Sequence, residues 1–233
     1  MSSTAPASQT LSRGIRILEV LADAREPLTI DELAARLDVH RSVAYRLLRT
    51  LEDHGLVVRD SSGRVQLGPR MAALAAGVAH DLQAEALPEL TAVAADLGVT
   101  SFLVVADHDE CVTLSSVEPR HAVNPVAQRP GTRHPVTRGA PGKAILSLVP
   151  EGAWPAEVGD ALAEEIRDAA TRGYATSHDE VIPTLRAVAV PLSVRGRAPA
   201  AIAVVFVATT HSDDEIAARL TRSATAIRDA LGG

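Results

Sequence analysis

Residues 29–51 read Thr29-Ile-Asp-Glu-Leu-Ala-Ala-Arg-Leu-Asp-Val-His-Arg-Ser-Val-Ala-Tyr-Arg-Leu-Leu-Arg-Thr-Leu51. Ile30, Leu33, Ala34 and Leu37 fall on one face of a helix of about 30–37. Val43, Leu47, Leu48 and Leu51 fall on one face of a second helix, about 41–54. Thr29 followed three residues later by Glu32 is the pattern of a reciprocal helix cap. Asp38-Val39-His40 reads as the turn between the two, and Gly55 stands where a helix-ending glycine belongs. On the second helix Arg41, Tyr45 and Arg49 recur every four residues, as do Ser42 and Arg46. These five share the face opposite Val43, Leu47 and Leu51. Such a helix packs one side on a core and offers guanidinium groups to the major groove of DNA on the other.

The flanking sequence completes a small domain. An earlier helix of about 10–24 is expected, with Leu11, Ile15, Leu18 and Ala22 as its apolar stripe, Leu21 beside them, and Thr10 or Ser12 as its cap. Glu26-Pro27 stops it, and Leu28 reads as a short extended residue. Leu56–Arg59 and Arg64–Leu67 read as two strands around the turn Asp60-Ser61-Ser62-Gly63. Three helices and a hairpin make a winged helix-turn-helix, expected over 9–68 after a frayed tail at 1–8. Arg59 and Arg64 on the wing are expected to touch the DNA backbone or minor groove, and Arg13 and Arg16 to hold phosphates. A solvated charged helix in an ordinary bundle, or a winged helix that binds protein, is the competing reading of the same pattern.

Composition bounds the rest. The chain has 233 residues, 46% hydrophobic and 22% charged, which is globular and leaves room for two domains. Aromatic residues are only 2%, so the cores rest on Ala, Val, Leu and Ile. No apolar run approaches the roughly 20 residues that span a bilayer. The start has neither a basic region nor an apolar stretch, so no secretory signal is expected. The single cysteine, Cys111, allows no intrachain disulfide and fits a reducing cytoplasm. The net charge of −6 argues against indiscriminate coating of nucleic acid, but it is uneven. Residues 1–70 carry ten Arg against nine Asp and Glu, whereas 71–233 carry thirteen basic against twenty acidic residues. Every basic residue but Lys143 is arginine.

Beyond Gly68-Pro69 the chain turns helical and alanine-rich. A connecting helix is expected over 69–80, then one or two helices to Leu97 broken at Pro88. Thr100–Ala106 and Cys111–Val117 read as a hairpin, and Pro119–Arg138 as a loop with short strands. Further helices are expected from Lys143 and over Ala161–Arg172. Strands are expected at Tyr174–Ser177, Ala187–Ser193 and Ala200–Ala208, and a last helix capped by Ser212 or Asp213 runs to Leu231. This second unit, 81–233, is mixed α+β with a largely antiparallel sheet.

Its chemistry is sparse. Gly139-Ala-Pro-Gly-Lys143-Ala has two residues between its first glycine and Gly-Lys where a phosphate-binding loop needs four, and Ala144 stands where that loop needs Ser or Thr. Nucleotide hydrolysis is therefore rejected. The glycines still let backbone N–H groups at a helix start face a cavity and favour an anion. Arg133, His134 and Arg138 just upstream either help to hold a ligand carboxylate or form a solvated loop. The eight histidines include no His-x-x-x-His pair, and His178-Asp179-Glu180 reads as an exposed turn, so no metal site is expected. Cys111 reads as a small buried residue. No nucleophile–base pair is visible, so neither catalytic residues nor a cofactor are expected.

Several motifs occur in order. They are the opening Leu11–Leu18, Leu28-Thr-Ile-Asp-Glu-Leu-Ala, Arg46-Leu-Leu-Arg-Thr-Leu-Glu, His54-Gly-Leu-Val, Gly142-Lys-Ala-Ile-Leu, Arg172-Gly-Tyr and Ala187-Val-Ala-Val-Pro-Leu. In this order and spacing the chain resembles the IclR family of bacterial transcription regulators over about Gln9–Leu231. The resemblance implies a winged helix joined by a linker helix to a GAF-like effector domain. It implies dimers or tetramers, formed partly through the N-terminal domains, on palindromic promoter DNA, and a small organic-acid or aromatic effector. Carried over by position, the effector pocket falls near His134, Ala140, Pro141, Ser177, Leu185, Ala187, Ala203 and Val205. Some relatives have an acid, a cysteine and hydroxyls where this chain has Ser177, Ala187, Ala203 and Val205, which implies a more apolar pocket floor. Arg138 stands where a small residue is common, Asp179-Glu180 replaces a Glu-Glu pair, and Pro183-Thr184 replaces a Pro-Gly. The expectation is thus a cytoplasmic, homo-oligomeric, effector-controlled DNA-binding regulator without catalytic activity.

Overall fold

The computed structural model describes residues 8–24, 26–120, 126 and 128–232. The tail expected at 1–8 therefore lies, but for Ser8, outside the described residues. The chain divides into two compact units, 1–78 and 79–233.

The first unit is a winged helix-turn-helix. Helix α1 spans Gln9–Asp23, α2 Ile30–Arg36 and α3 Arg41–Asp53. Strands β1, Val57–Arg59, and β2, Val65–Leu67, pair antiparallel, and Leu28 joins them through reciprocal backbone bonds to Val65 of 2.9 and 2.7 Å. Thr29 and Glu32 form the expected reciprocal cap, each accepting the other's backbone N–H. The turn into α3 is made by Asp38 at φ +51°, a left-handed conformation that Asp tolerates better than most residues. The core joins Ile17 and Leu21 of α1 to Leu33, Leu47, Leu48 and Leu51 and to Val57 and Val65 of the hairpin.

Two expectations for α1 are corrected. Its cap is Ser8, whose hydroxyl accepts from Leu11 N at 3.4 Å, two residues before Thr10 and four before Ser12. Its inward stripe is Gly14, Ile17 and Leu21, while Leu11 and Ile15 are 64% and 48% exposed. Both stripes are apolar at helical spacing, and the domain packs against only one. On α3 the residue buried with Leu47, Leu48 and Leu51 is Ala44 rather than Val43, which is only partly covered.

Helix α4 spans Arg70–Ala75, and α5 spans His80–Leu97. The chain breaks before α5, at Ala79, whose φ is +45°. The break expected at Pro88 does not occur. Pro88 lies inside α5, and both it and Ala84, whose carbonyl the proline leaves without a donor, are exposed to water.

The second unit holds a six-stranded antiparallel sheet. Its strands are β3 Thr100–Asp107, β4 Glu110–Val117, β5 Arg133–Pro135, β6 Ala175–His178, β7 Arg186–Leu192 and β8 Ala200–Phe206. Their order in the sheet is β5-β4-β3-β8-β7-β6. Central β8 is buried along its whole length, as a strand covered on both faces must be. Ile202, Val204 and Phe206 face α5 and the last helix, α8, Asp213–Ala230, which Ser212 and Glu215 cap reciprocally. Ala201, Ala203 and Val205 face the other way, toward α6, Gly139–Leu146, and α7, Asp160–Arg172. On that face Ala175, Ala189, Ala201 and Ala203 are small, which lets α6 approach closely and become buried on all sides. Helix α6 begins four residues before the expected Lys143. A Cβ on its Gly142 would lie 2.0 Å from the Val136 carbonyl oxygen, so close packing against the preceding backbone explains this glycine.

Candidate DNA-binding helix and ligand pocket

The outward face of α3 carries Arg41, Ser42, Tyr45, Arg46 and Arg49, all exposed. Its start is fixed by His40, whose ring Nδ1 accepts from Ser42 N at 3.2 Å and lies 2.8 Å from the Ser42 hydroxyl. That cap was missed in the sequence, where His40 read only as turn. Arg41 is held against α2 by Asp31 at 2.7 Å, through side chains that are both largely in water. Among the described residues Arg46 and Arg49 form no ion pair or side-chain hydrogen bond, and neither do Arg13 and Arg16 of α1. Their guanidinium groups keep all their donors for a partner.

The wing arginines are used differently. Arg59 donates to Glu52 of α3 from Nε at 2.5 Å and from a terminal nitrogen at 3.0 Å, and sits over the Tyr45 ring at 5.6 Å. The Glu52 bonds push its already high pKa further up. Arg64 donates to the Pro27 carbonyl at 2.8 Å and lies 3.7 Å from Glu32. These two therefore brace the hairpin against α3 and against the loop before α2. The wing tip is shaped by Asp60, which accepts from the Ser62 and Arg64 amides and the Ser62 hydroxyl, bonds that hold its carboxyl below the usual range.

In the second unit a small cleft of about 50 Å³, open at one side, lies between the start of α6, the pairing edge of β6 and β7, and the segment 180–185. Six of the ten residues named for an effector line it: His134, Pro141, Ser177, Leu185, Ala187 and Val205. Phe102, Gln128, Thr132, Gly139, Glu180, Val181, Ile182 and Arg186 complete the wall. Ala140 and Ala203 are instead buried in the core. Arg133 turns away to Asp107 and Glu110, each at 2.7 Å. Arg138 donates to the Glu180 carbonyl.

The anion seat expected at the start of α6 has an internal occupant. Glu180 Oε2 accepts from Gly139 N at 2.8 Å, and its Oε1 accepts from Lys143 Nζ at 2.6 Å. Lys143 is buried, also pairs with Glu165, and donates to the Thr176 carbonyl at 3.1 Å. A buried ammonium needs such partners to offset its desolvation. Nothing in the local pattern of Gly-Lys-Ala reveals a carboxylate that arrives from 41 residues away.

Cys111 is fully buried, and burial pushes its thiol up to about 12, which leaves it unreactive. Among the described residues no group of three or more His, Cys, Asp and Glu could hold a metal ion, and no helix is long and apolar enough to cross a membrane.

Comparison with known proteins agrees with this architecture. Residues 10–61 match the IclR helix-turn-helix domain. The glycerol operon regulatory protein of Streptomyces griseus is 28% identical over 95% of this chain and 92% of its own length. An IclR transcriptional regulator from Alicyclobacillus acidocaldarius superposes with a TM-score of 0.83 at 29% identity, covering 97% of this chain and all of that one. An IclR homologue from Microbacterium hydrocarbonoxydans, crystallised with 4-hydroxybenzoate, does so with a TM-score of 0.81 at 25% identity, over 96% of this chain and 99% of the other. A helix-turn-helix with its donor-bearing helix exposed and an antiparallel sheet behind it in the chain accompany likeness along nearly the whole length: residues 10–61 form an IclR helix-turn-helix domain, and the chain as a whole is similar to IclR-family transcriptional regulators.

Proposed function

We propose that this protein is a cytoplasmic, sequence-specific regulator that binds a palindromic promoter site and is controlled by a small organic or aromatic acid. One observation carries the DNA reading. Arg46 and Arg49 sit exposed and unpaired, among the described residues, on the face of α3 that also presents Ser42 and Tyr45. In this reading Arg46 and Arg49 reach base edges, and Arg13, Arg16, Arg41 and Ser42 hold phosphates. Arg59 and Arg64 act by setting the angle of the wing.

The effector binds in the cleft beside α6, and the protein has no catalytic role. The supports are the position of the cleft, its largely apolar wall, and the 4-hydroxybenzoate bound to the Microbacterium homologue. The outward apolar stripe of α1, Leu11 and Ile15, supports a dimer or tetramer formed partly through the first unit. Domain limits follow as 9–68 for DNA, 69–80 for the connection and 81–233 for the effector. The effector acts by binding one arrangement of the oligomer better than another, which only differential affinity can achieve.

The test is a fluorescence-anisotropy titration of the purified chain against the DNA flanking its own gene, at several salt concentrations. Binding confined to one segment, with affinity falling steeply as salt rises, is the expected result. Absence of binding to every segment at every salt concentration overturns the reading and favours a winged helix that contacts protein.

A further inference from the structure

The polar groups around the cleft are almost all spent. Arg133 is paired with Asp107 and Glu110, Arg186 with both oxygens of Asp213 at 3.1 Å, and Lys143 with Glu165 and Glu180. Arg138 donates to the Glu180 carbonyl, and the Gly139 amide to the Glu180 carboxylate. Gln128 donates to the Thr113 hydroxyl at 2.8 Å. Among the described residues the hydroxyls of Thr132 and Ser177, both half-buried, are not spent, and His134 differs from them in being buried. It is 8% exposed, lines the cleft, and among the described residues neither ring nitrogen has a hydrogen-bond partner.

A buried imidazole with no partner is costly, so it calls for a group that arrives from outside. Its Nε2 lies beside Gly139, 3.6 Å from where a Cβ on that glycine would be, and both residues line the cleft. The Ser177 side chain lines the same space. Neutral imidazole can donate or accept at a given nitrogen according to its tautomer, which suits a hydroxyl, since a hydroxyl also does both. A carboxylate only accepts, and gains most from a cationic partner. Burial and the nearby Arg138 both disfavour the imidazolium, and only Glu110 opposes them.

We propose that His134 is the specificity-determining residue of the cleft, and that it exchanges a hydrogen bond with an uncharged hydroxyl group on the effector. This rests on the effector reading above and narrows it. The acid end of the ligand finds its place elsewhere, and the hydroxyl decides which acid is accepted.

The test uses the full chain, its His134→Leu and His134→Gln variants, and four probes: benzoate, 3-hydroxybenzoate, 4-hydroxybenzoate and 4-methoxybenzoate. Calorimetric titration of the wild type is expected to show one hydroxybenzoate binding about tenfold more tightly than benzoate and the methoxy compound. His134→Leu should erase that preference, and His134→Gln should restore part of it. Without ligand, His134→Leu should melt at a higher temperature than wild type, because it removes a buried polar group that has no partner. A preference unchanged in His134→Leu, a lower melting temperature for that variant, or failure of both hydroxybenzoates to bind the wild type overturns the proposal. Operator binding measured alongside separates the two readings: DNA affinity that persists while the panel fails removes this inference and leaves the regulator standing.

Discussion

Glu180 and Gly139 are joined by a 2.8 Å bond from the backbone N–H at the start of α6 to the glutamate carboxylate, so a side chain of the protein sits where a helix start favours an anion. The same carboxylate reaches the buried Lys143, and the Glu180 carbonyl accepts from Arg138. Glu180 thereby ties the segment 180–185 to the start of α6. An acid ligand that seeks the start of α6 must compete with Glu180 for it.

Glu180→Gln keeps a group that can accept from Gly139 but removes the competing charge. Lys143 retains Glu165. Benzoate should bind the variant several-fold more tightly, by relief of like-charge repulsion of roughly 1 kcal/mol. Calorimetric titration at fixed salt measures this. Weaker binding would show that Glu180 shapes the site rather than guarding it.

Arg46→Ala and Arg49→Ala remove exposed side chains without protein partners among the described residues, so the unfolding transition should stay in place. Operator affinity should fall by about 1–3 kcal/mol for each if base edges are lost, or fall evenly across sequences with a smaller salt slope if phosphates are lost. Arg59→Ala should behave differently. It leaves Glu52, only partly exposed, without its partner. The first unit should therefore lose stability, while the salt dependence of whatever binding remains is unchanged. Salt-resolved anisotropy beside thermal melts distinguishes these outcomes.

What could be read in the sequence was local or periodic. Thr29 and Glu32 of the cap stand three residues apart, and the leucines of α3 repeat at helical spacing, so both are visible in the sequence. The strands of the second unit were legible as apolar runs. Helix α1 was legible as a helix but not by its buried face, because Leu11, Ile15 and Leu18 form as good a stripe as Gly14, Ile17 and Leu21, and only tertiary packing chooses between them. Pro88 broke a local rule that exposure to water relaxes. At the candidate sites the misses are long-range pairings. Arg64 finds the Pro27 carbonyl 37 residues back, and Glu180 finds Gly139 41 residues back. Arginine in a sequence shows that a donor exists; it does not show whether a carboxylate elsewhere has already taken it.

Gly142→Ala tests the close approach that builds the cleft. The added Cβ would meet the Val136 carbonyl oxygen at 2.0 Å and its carbon at 2.8 Å, both backbone atoms that cannot rotate away. Either α6 moves off the sheet or the segment leading into it shifts, at a cost of about 3 kcal/mol. Urea unfolding followed by circular dichroism should show the loss in the second unit, with operator binding by the first unit weakened far less. An unchanged midpoint would mean that α6 is not packed as described.

The pH dependence of stability isolates His134. Burial, aided by Arg138 and opposed by Glu110, holds its folded pKa below the ordinary value of about 6.5. Well above pH 6.5 the imidazole is neutral whether the chain is folded or unfolded, so it contributes no slope. As pH falls below 6.5 the unfolded chain takes up the proton first, and the native state loses stability until the folded pKa is reached. His134→Leu lacks this loss. Its advantage over wild type should therefore grow between pH 7 and 5.5. The carboxylates of Glu32, Asp60, Asp107, Glu151 and Glu215, whose pKa values are lowered by their own partners, titrate further down and are common to both proteins. Urea midpoints measured for the pair across this range decide the matter: a difference that stays flat or shrinks on acidification would mean that the folded chain holds His134 charged.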